Sequence, residues 1–255
     1  MLNILKARFK QKHRTMRWPD GPLPELPDRF VGRPVVADQP CPGDCGRCRD
    51  ACPTGAISPC GKGVQIDTGL CLFCGACERA CPAGTIRFTA EHRLCAQRRE
   101  DLVVRANSPV AARARHELAA KLFSRSLKLR QVSAGGCNAC EADSNVLGTL
   151  AWDMGRFGIS FVASPRHADG LLITGPVTRN MQLALVKTYE ALPSPKVVIA
   201  IGSCAISGGP FVGLDQQLGG AASVVPVDLH VPGCPPHPLT ILEGLLRMIG
   251  RIEDA

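Results

Sequence analysis

Aromatic residues are scarce in this chain of 255 residues: they make up 4% of it, with a single tyrosine and two tryptophans. Proteins that bind nucleic-acid strands commonly stack the bases on aromatic side chains, so we expect no nucleic-acid partner. No apolar stretch approaches the roughly 20 residues of a membrane-spanning helix, and we therefore expect no transmembrane segment. The first residues also lack the apolar core of a secretory signal, which predicts a cytoplasmic protein.

Acidic residues are absent before Asp20, although the chain carries 22 of them against 30 lysines and arginines. The basic residues of this first segment are Lys6, Arg8, Lys10, Lys12, Arg14 and Arg17, and the apolar residues among them are Leu2, Ile4, Leu5 and Phe9. Such a segment could lie on an anionic membrane surface. A short arm of this composition is equally well explained as solvated or bound to a partner.

Cysteine is abundant, with 14 residues. Two runs, 45–53 and 74–82, repeat each other at an offset of 29 residues; each ends in Cys-Pro and follows a further cysteine. The spacing C-x2-C-x2-C-x3-C-P is typical of two-cluster ferredoxins, where the fourth cysteine binds the other [4Fe-4S] cluster. This rule predicts cluster one at Cys41, Cys45, Cys48 and Cys81, and cluster two at Cys71, Cys74, Cys77 and Cys52.

Zinc and disulfides are the alternatives for these cysteines. Zinc sites usually pair Cys-x2-Cys knuckles with histidine, and disulfides are rare in the cytoplasm, so both are less favoured. One copy departs from the ferredoxin pattern, because it starts Cys41-x3-Cys45 where the other starts Cys71-x2-Cys74. The extra loop residue must bulge outward. Cys60 and Cys95 fall outside both runs, and we expect them to be small hydrophobic residues rather than ligands.

The composition divides the chain into four predicted segments. Residues 1–40 form an extended basic and proline-rich arm, and residues 41–92 an α+β ferredoxin domain with two clusters. Residues 93–126 form a linker, in which an amphipathic helix over about 109–130 places Ala114, Leu118, Leu122 and Phe123 on its apolar face. Residues 127–255 alternate between strand and helix signals, which indicates a separate α/β domain.

That last segment predicts a flavodoxin-like open parallel sheet with helices on both faces. Its predicted strands are 127–132, 159–164, 170–174, 196–201 and 224–231, and its clearest helices are 179–192 and 238–252. Four more cysteines follow strands, at Cys137, Cys140, Cys204 and Cys234. Because the carboxyl ends of parallel strands meet at one crevice, these residues predict a third [4Fe-4S] cluster.

The motifs around these cysteines resemble a known family. Residues 126–249 are similar to the small, cluster-bearing subunit shared by energy-converting membrane-bound [NiFe] hydrogenases, formate hydrogenlyases and respiratory complex I. The matching motifs are GGCNACE at 135–141, RFG at 156–158, ASPRHAD at 163–169, TGPVTRN at 174–180, GSCAISGG at 202–209 and VPGCPP at 231–236. The resemblance implies that the third cluster lies nearest the large subunit.

Two details refine this resemblance. The separated pair Cys137-x2-Cys140 followed by Glu141 is hydrogenase-like, whereas complex I members usually have adjacent cysteines there. The N-terminal half, including the motif at 30–34, resembles the eight-iron ferredoxin subunit of the same complexes, here fused into one chain. Glu141 could serve a proton path, although an exposed carboxylate or one that supports the cluster is the commoner case. His167 is expected to pair with Asp169 or to face a partner.

The resemblance therefore implies an electron-transfer subunit of an oxidoreductase complex, with three [4Fe-4S] clusters and no catalytic residue of its own. Expected partners are a [NiFe] hydrogenase-like large subunit, membrane subunits, and a donor such as reduced ferredoxin or a formate dehydrogenase module. The expected location is peripheral, on the cytoplasmic face of the inner membrane. Two alternatives remain: the equivalent subunit of a quinone-reducing complex I relative, and a stand-alone polyferredoxin.

Overall fold

The computed structural model describes residues 2–12, 14–41, 45–110 and 116–252. Its N-terminal module contains two small antiparallel sheets and two short helices. One sheet pairs β1 (Pro34–Val36) with β4 (Ile86–Phe88), and the other has the order β2 (Ile57–Cys60), β3 (Gly63–Asp67), β5 (Val103–Val104). The helices are α2 (Arg47–Asp50) and α3 (Ala76–Ala80). The predicted α+β ferredoxin module is confirmed.

The two small sheets extend beyond the predicted limits of this module. Strand β1 lies inside the segment predicted as an arm, and β5 lies inside the segment predicted as a linker. Residues 22–33 contain no helix or strand, as their proline content predicts. The cuts at residues 40 and 92 therefore pass through hydrogen-bonded sheets.

The start of the chain differs from the predicted extended arm. Residues Leu2–Gln11 form a helix, α1, in which every side chain from Leu2 to Lys10 is exposed. The physical reason is local, because leucine, alanine, lysine and arginine favour helices and neither glycine nor proline occurs between Leu2 and Trp18. The proline-rich part of the predicted arm begins only at Pro19.

The predicted linker helix is shorter than expected and presents a different face. Helix α4 spans Glu117–Phe123, and the backbone amide of Ala119 donates to Nδ1 of His116 at its first turn. Ala119 and Phe123 are buried, whereas Leu118 and Leu122 are largely exposed. Of the predicted apolar face, Phe123 is thus buried, whereas Leu118 and Leu122 are exposed and Ala119 is buried in their place. Ala114, also predicted on that face, lies outside the described residues.

The C-terminal domain is built on one parallel sheet of five strands: β6 (Leu127–Ser133), β7 (Ile159–Phe161), β8 (Gly170–Thr174), β9 (Val197–Ile201) and β10 (Leu229–Val231). They lie in the order β7-β6-β8-β9-β10, and every adjacent pair is parallel. Numbered from β6, this is the order 2-1-3-4-5 of flavodoxin-like folds. The predicted fold class is confirmed. The last strand is shorter than predicted, since Pro226 cannot donate to a strand ladder.

Helices cover both faces of this sheet: α5 (Ala139–Asn145), α6 (Arg179–Ala191), α7 (Gly202–Ser207) and α8 (Pro238–Met248). Leu185 of α6 packs with Ile173 and Val198 on one face. On the other face, α8 packs with Leu172 and Ile199. Every side chain of α8 is buried, including Glu243, which forms a 2.7 Å ion pair with Arg247. None of the helices within the described residues is long and apolar enough to cross a bilayer.

Cys95 is buried against α8, as expected for a cysteine that acts as a small hydrophobic residue. Its thiol donates to the backbone carbonyl of Thr240 at 3.4 Å. A side chain at Gly244 would collide with Cys95 Sγ. The segment around Cys95 therefore packs directly on the buried helix.

This contact predicts the effect of adding one methyl group. Gly244→Ala should lower the free energy of unfolding by about 1–3 kcal/mol, because overpacking a close-packed core costs this much. Gly148→Ala is the matched control, since nothing lies within 4 Å of its added methyl. Adding Cys95→Ala to Gly244→Ala should recover part of the loss in urea unfolding. Equal effects of Gly148→Ala and Gly244→Ala would contradict this packing.

Candidate metal centres

Four thiols from both cysteine runs converge beside α3. Cys71, Cys74 and Cys77 come from the second run, and Cys52 joins them from the first. Burial, together with the negative charges of Cys77, Cys52 and Cys74, raises the pKa of Cys71 to about 12. Burial likewise raises the pKa of Cys77 to about 11. The structure thus brings together the set predicted for cluster two, including the cysteine that crosses over.

A second group lies beside α2. Burial raises the pKa of Cys48, and the nearby thiolates of Cys81 and Cys41 raise it as well. Cys41 and Cys45 line one concave pocket with Lys62, whose backbone carbonyl accepts a hydrogen bond from the Cys41 amide at 2.9 Å. The structure therefore places the four residues predicted for cluster one in a single region. The predicted outward bulge falls on residues 42–44, outside the described residues.

The duplicated sequence produces a duplicated hydrogen bond. The amide of Ala56 donates to Cys52 Sγ, and the amide of Thr85 donates to Cys81 Sγ, both at 3.3 Å and both four residues after the cysteine. Burial alone would raise the pKa of Cys81, but hydrogen bonds from Thr85 and its neighbours lower it overall. Donors of this kind stabilise a thiolate and tune a bound cluster. The two crossing cysteines therefore share one backbone hydrogen bond in the same sequence position.

The third group lies at the carboxyl edge of the parallel sheet. Cys137 and Cys140 follow β6, Cys204 lies on α7 after β9, and Cys234 follows β10. Burial, together with the negative charges of Cys234 and Cys137, raises the pKa of Cys204 to about 11. Burial also raises the pKa of Cys140, and the negative charge of Cys204 is the next largest cause. The four predicted residues therefore face one another at the crevice where the strand order reverses.

Gly202 makes this approach possible. It begins α7 with φ +86°, a conformation that L side chains rarely adopt, and an added Cβ would lie 2.5 Å from Cys140 Sγ. The tight strand-to-helix turn thus lets the thiols from two loops meet.

Glu141 is buried beneath the third group rather than exposed. Its side chain has 5% exposure, and its Oε1 accepts a 2.6 Å hydrogen bond from Thr174 Oγ1 at the end of β8. This bond spans the gap between the two strands where the order reverses. The carboxylate also contributes to the raised pKa of Cys140. The structure therefore supports a role next to the thiols, and the proton path stays a prediction.

His167 lies at the other edge of the sheet. It is exposed in a single turn, Pro165–His167, just before the amino end of β8. Its expected partner Asp169 instead accepts a hydrogen bond from the Lys128 amide at 2.7 Å. The structure therefore does not bring His167 to the thiols of the third group.

The donor sets fit iron–sulfur clusters in their chemistry. All 14 cysteines are free of disulfides. No group of three or more His, Cys, Asp or Glu side chains within the described ranges could hold a single metal ion. In a [4Fe-4S] cluster each thiolate binds its own iron, so its four ligands lie farther apart than around one ion.

Sequence reasoning missed the contact between the second and third groups. Ser203, next to Cys204, is buried, and its hydroxyl donates to the backbone carbonyl of Cys71 at 2.6 Å. One turn later, the hydroxyl of Ser207 donates to the carbonyl of Gly69 at 2.9 Å. The motif at 202–209 contains both serines, but no local pattern identifies their distant acceptors. Helix α7 therefore carries one predicted ligand and touches the loop that carries another.

The family comparisons agree with this geometry. Residues 137–248 match the family described as NADH ubiquinone oxidoreductase, 20 Kd subunit, and residues 64–87 match the 4Fe-4S binding domain. The chain belongs to this family of 20 kDa subunits. The 4Fe-4S match covers the second cysteine run, whereas the first run, with its extra residue, lies outside it.

Its relatives in this family are subunits of oxidoreductase complexes. The chain is 44% identical to formate hydrogenlyase subunit 7 of Escherichia coli over 52% of each chain, so it spans about half of that relative. It is 43% identical to the probable membrane-bound hydrogenase subunit mbhJ of Pyrococcus furiosus, over 52% of this chain and 79% of the relative. It is 41% identical to an NADH-quinone oxidoreductase subunit of Heliobacterium modesticaldum, over 48% of this chain and 70% of the relative.

The serine contact generates a prediction about how the two halves dock. Ser203→Ala removes the hydroxyl and leaves a buried carbonyl unpaired, which should cost about 1–3 kcal/mol. Hydrogen exchange in residues 69–74 should become faster. Ser223→Ala is the matched control, because its hydroxyl bonds within the C-terminal domain, to the Gly220 carbonyl at 2.7 Å. If both variants exchange alike at 69–74, the serine does not hold the two halves together.

Proposed function

We propose that twelve of the cysteines hold three [4Fe-4S] clusters. The ligand sets are Cys41, Cys45, Cys48 and Cys81 for cluster one, Cys71, Cys74, Cys77 and Cys52 for cluster two, and Cys137, Cys140, Cys204 and Cys234 for the third. The proposal is supported by the convergence of thiols in each set, by the amide donors to Cys52 and Cys81, and by the 4Fe-4S family match. Cys60 and Cys95 are not ligands in this proposal.

Bound clusters supply one-electron redox chemistry. The chain's own residues set their order and their surroundings. The Ser203–Cys71 hydrogen bond supports an arrangement in which cluster two is the ferredoxin cluster next to the third set, which makes cluster one the outer cluster. Cys48, Cys71 and Cys77 are buried, which limits the access of water to the first two sets, whereas Cys74 is exposed. The order along the relay is therefore cluster one, cluster two, third cluster.

The outer face of the third set needs a partner protein. Cys137 and Cys234 are exposed, and the loop after α7 adds exposed apolar side chains at Phe211, Val212 and Leu214. An apolar rim beside reactive thiols is typical of an interface. This open thiol face is the observation that carries the proposed function.

The chain is proposed to be the electron-transfer subunit of a membrane-associated, energy-converting [NiFe] hydrogenase or formate hydrogenlyase complex. Its partner at the third cluster is a [NiFe] hydrogenase-like large subunit. Membrane subunits and a donor such as reduced ferredoxin or a formate dehydrogenase module complete the complex, on the cytoplasmic face of the inner membrane. The hydrogenase assignment is favoured by Cys137-x2-Cys140-Glu141 and by relatives named as hydrogenase and formate hydrogenlyase subunits.

A second candidate is the equivalent subunit of a quinone-reducing complex I relative. It is favoured by the relatives named as NADH-quinone oxidoreductase subunits. The two functions differ in the partner, because a nickel–iron large subunit needs its own cysteine pairs whereas a quinone-reducing one does not. A stand-alone polyferredoxin is less favoured, since it would leave the thiol face uncovered.

The crossed ligand sets can be tested by counting iron. Anaerobically reconstituted protein should hold about twelve iron atoms, four per cluster. Cys52→Ala with Cys77→Ala removes two ligands of one cluster and should lose about four irons. Cys48→Ala with Cys52→Ala removes ligands of two clusters and should lose about eight. The reverse ranking would show that the sets are not crossed, and a loss of iron in Cys60→Ala would show a missed ligand.

Purification of the tagged chain from its native membranes tests the partner. The complex should contain nickel and a large subunit with two Cys-x2-Cys pairs, and it should evolve hydrogen from a reduced low-potential donor. Val212→Glu with Leu214→Glu should release the large subunit without loss of iron, because two charges enter the apolar rim. Leu183→Glu, at an exposed leucine of α6, should retain it. A partner without those pairs, in a complex that reduces quinone, would favour the complex I relative.

A further inference from the structure

Helix α1 exposes large apolar side chains that no other part of the described chain covers. Phe9 is 84% exposed, and Leu2 and Leu5 are 74% and 58% exposed. A helix of ten residues is marginally stable in water by itself. A surface that covers its apolar side chains would therefore stabilise it.

The apolar residues of α1 share one face. Leu2, Leu5 and Phe9 are spaced three and four residues apart, so they lie along one stripe of the helix. They line a shallow depression together with Lys6 and Lys10. These lysines lie beside the stripe, where long basic side chains can reach charged groups at the edge of an apolar contact. The arrangement fits an apolar layer bordered by anions.

The charge of this region has one sign. Six lysines and arginines and no acidic residue precede Asp20. Two of the basic residues, Arg8 and Lys10, fall in the last turn of α1. Each lysine or arginine near an anionic bilayer strengthens binding about fivefold. A surface that complements this segment must therefore be negatively charged. It must also be extended, because the six basic residues are spread over positions 6–17.

The chain is fixed to the protein shortly after α1. The guanidinium of Arg156 donates to the backbone carbonyls of Met16 at 2.6 Å and Trp18 at 2.5 Å. The amide of Met16 donates to the carbonyl of Ala151 at 3.0 Å, next to Leu150, whose side chain is 77% exposed. The segment that follows α1 is thus held on the C-terminal domain at Met16 and Trp18, beside the exposed side chain of Leu150.

We propose that α1 is an amphipathic anchor that lies on an anionic lipid bilayer. Leu2, Leu5 and Phe9 enter the boundary between headgroups and acyl chains, and Lys6, Arg8 and Lys10 contact lipid phosphates. The inference rests on the proposed peripheral location, but its test uses the isolated chain. It can therefore fail while the purification of a hydrogenase partner succeeds, and the reverse.

Flotation of the purified full-length chain with lipid vesicles tests the anchor. The chain should bind vesicles that contain phosphatidylglycerol far more strongly than pure phosphatidylcholine vesicles, and added salt should weaken binding. Lys6→Gln with Lys10→Gln should reduce the partition coefficient about twentyfold. Leu5→Glu with Phe9→Glu should reduce it on the order of a hundredfold, because it removes apolar contacts and adds repelled charges.

Leu183→Glu is the matched control, since it places a charge on an exposed leucine of another helix, 68% exposed, and should bind like the unmodified chain. Iron content should be equal in all variants. Equal binding to both kinds of vesicle, or full binding by Leu5→Glu with Phe9→Glu, would overturn the proposal. Absence of vesicle binding by the unmodified chain would also overturn it and would indicate a protein partner for α1.

Discussion

The structure depends on holding cysteine side chains together whose ionised forms repel one another. Burial and mutual repulsion raise the pKa of Cys71 to about 12 and that of Cys204 to about 11. Without metal these groups are neutral thiols at neutral pH. Metal binding must displace their protons, which links cluster assembly to the folded arrangement of the loops. The thiols do not attract one another by themselves. The backbone therefore has to hold them close together before a cluster binds.

Backbone donors offset part of this repulsion without adding cations. The amides of Ala56 and Thr85 point at Cys52 and Cys81, the two cysteines that cross between the runs. Each bond closes a turn at the end of its own run. The repeated sequence therefore produces the same hydrogen bond at both cysteines. Only a substitution by proline would remove such a backbone donor. This arrangement protects the residues on which the crossed sets depend.

Local patterns were sufficient for much of this molecule. The cysteine spacing indicated the two ferredoxin sets, and the apolar runs indicated the buried strands β8 and β9, because both signals are contained in a few neighbouring residues. The third set was predicted from the ends of separate strands and from the family resemblance of the motifs around its cysteines. The limits of the ferredoxin module were not predictable in the same way, since β1 and β5 are defined by pairing with distant strands. The buried face of α4 was predicted correctly at Phe123 but not at Leu118 and Leu122. Its partner surface, not its own periodicity, selects Ala119 and Phe123.

The same long-range contacts determine how the two halves behave as one protein. Trp18 and Cys95 belong to the same hydrophobic core as Leu129 and Leu245, and the backbone of Ala96 pairs with that of His230 in β10. The segment predicted as a linker thus belongs to both halves: β5 pairs with β3 of the ferredoxin module, and the residues around Cys95 pack on α8. Because of this shared core, the position of the ferredoxin module does not depend on an association equilibrium. In separate subunits the approach of Cys71 to Ser203 would depend on concentration and interface affinity, whereas here it follows from folding.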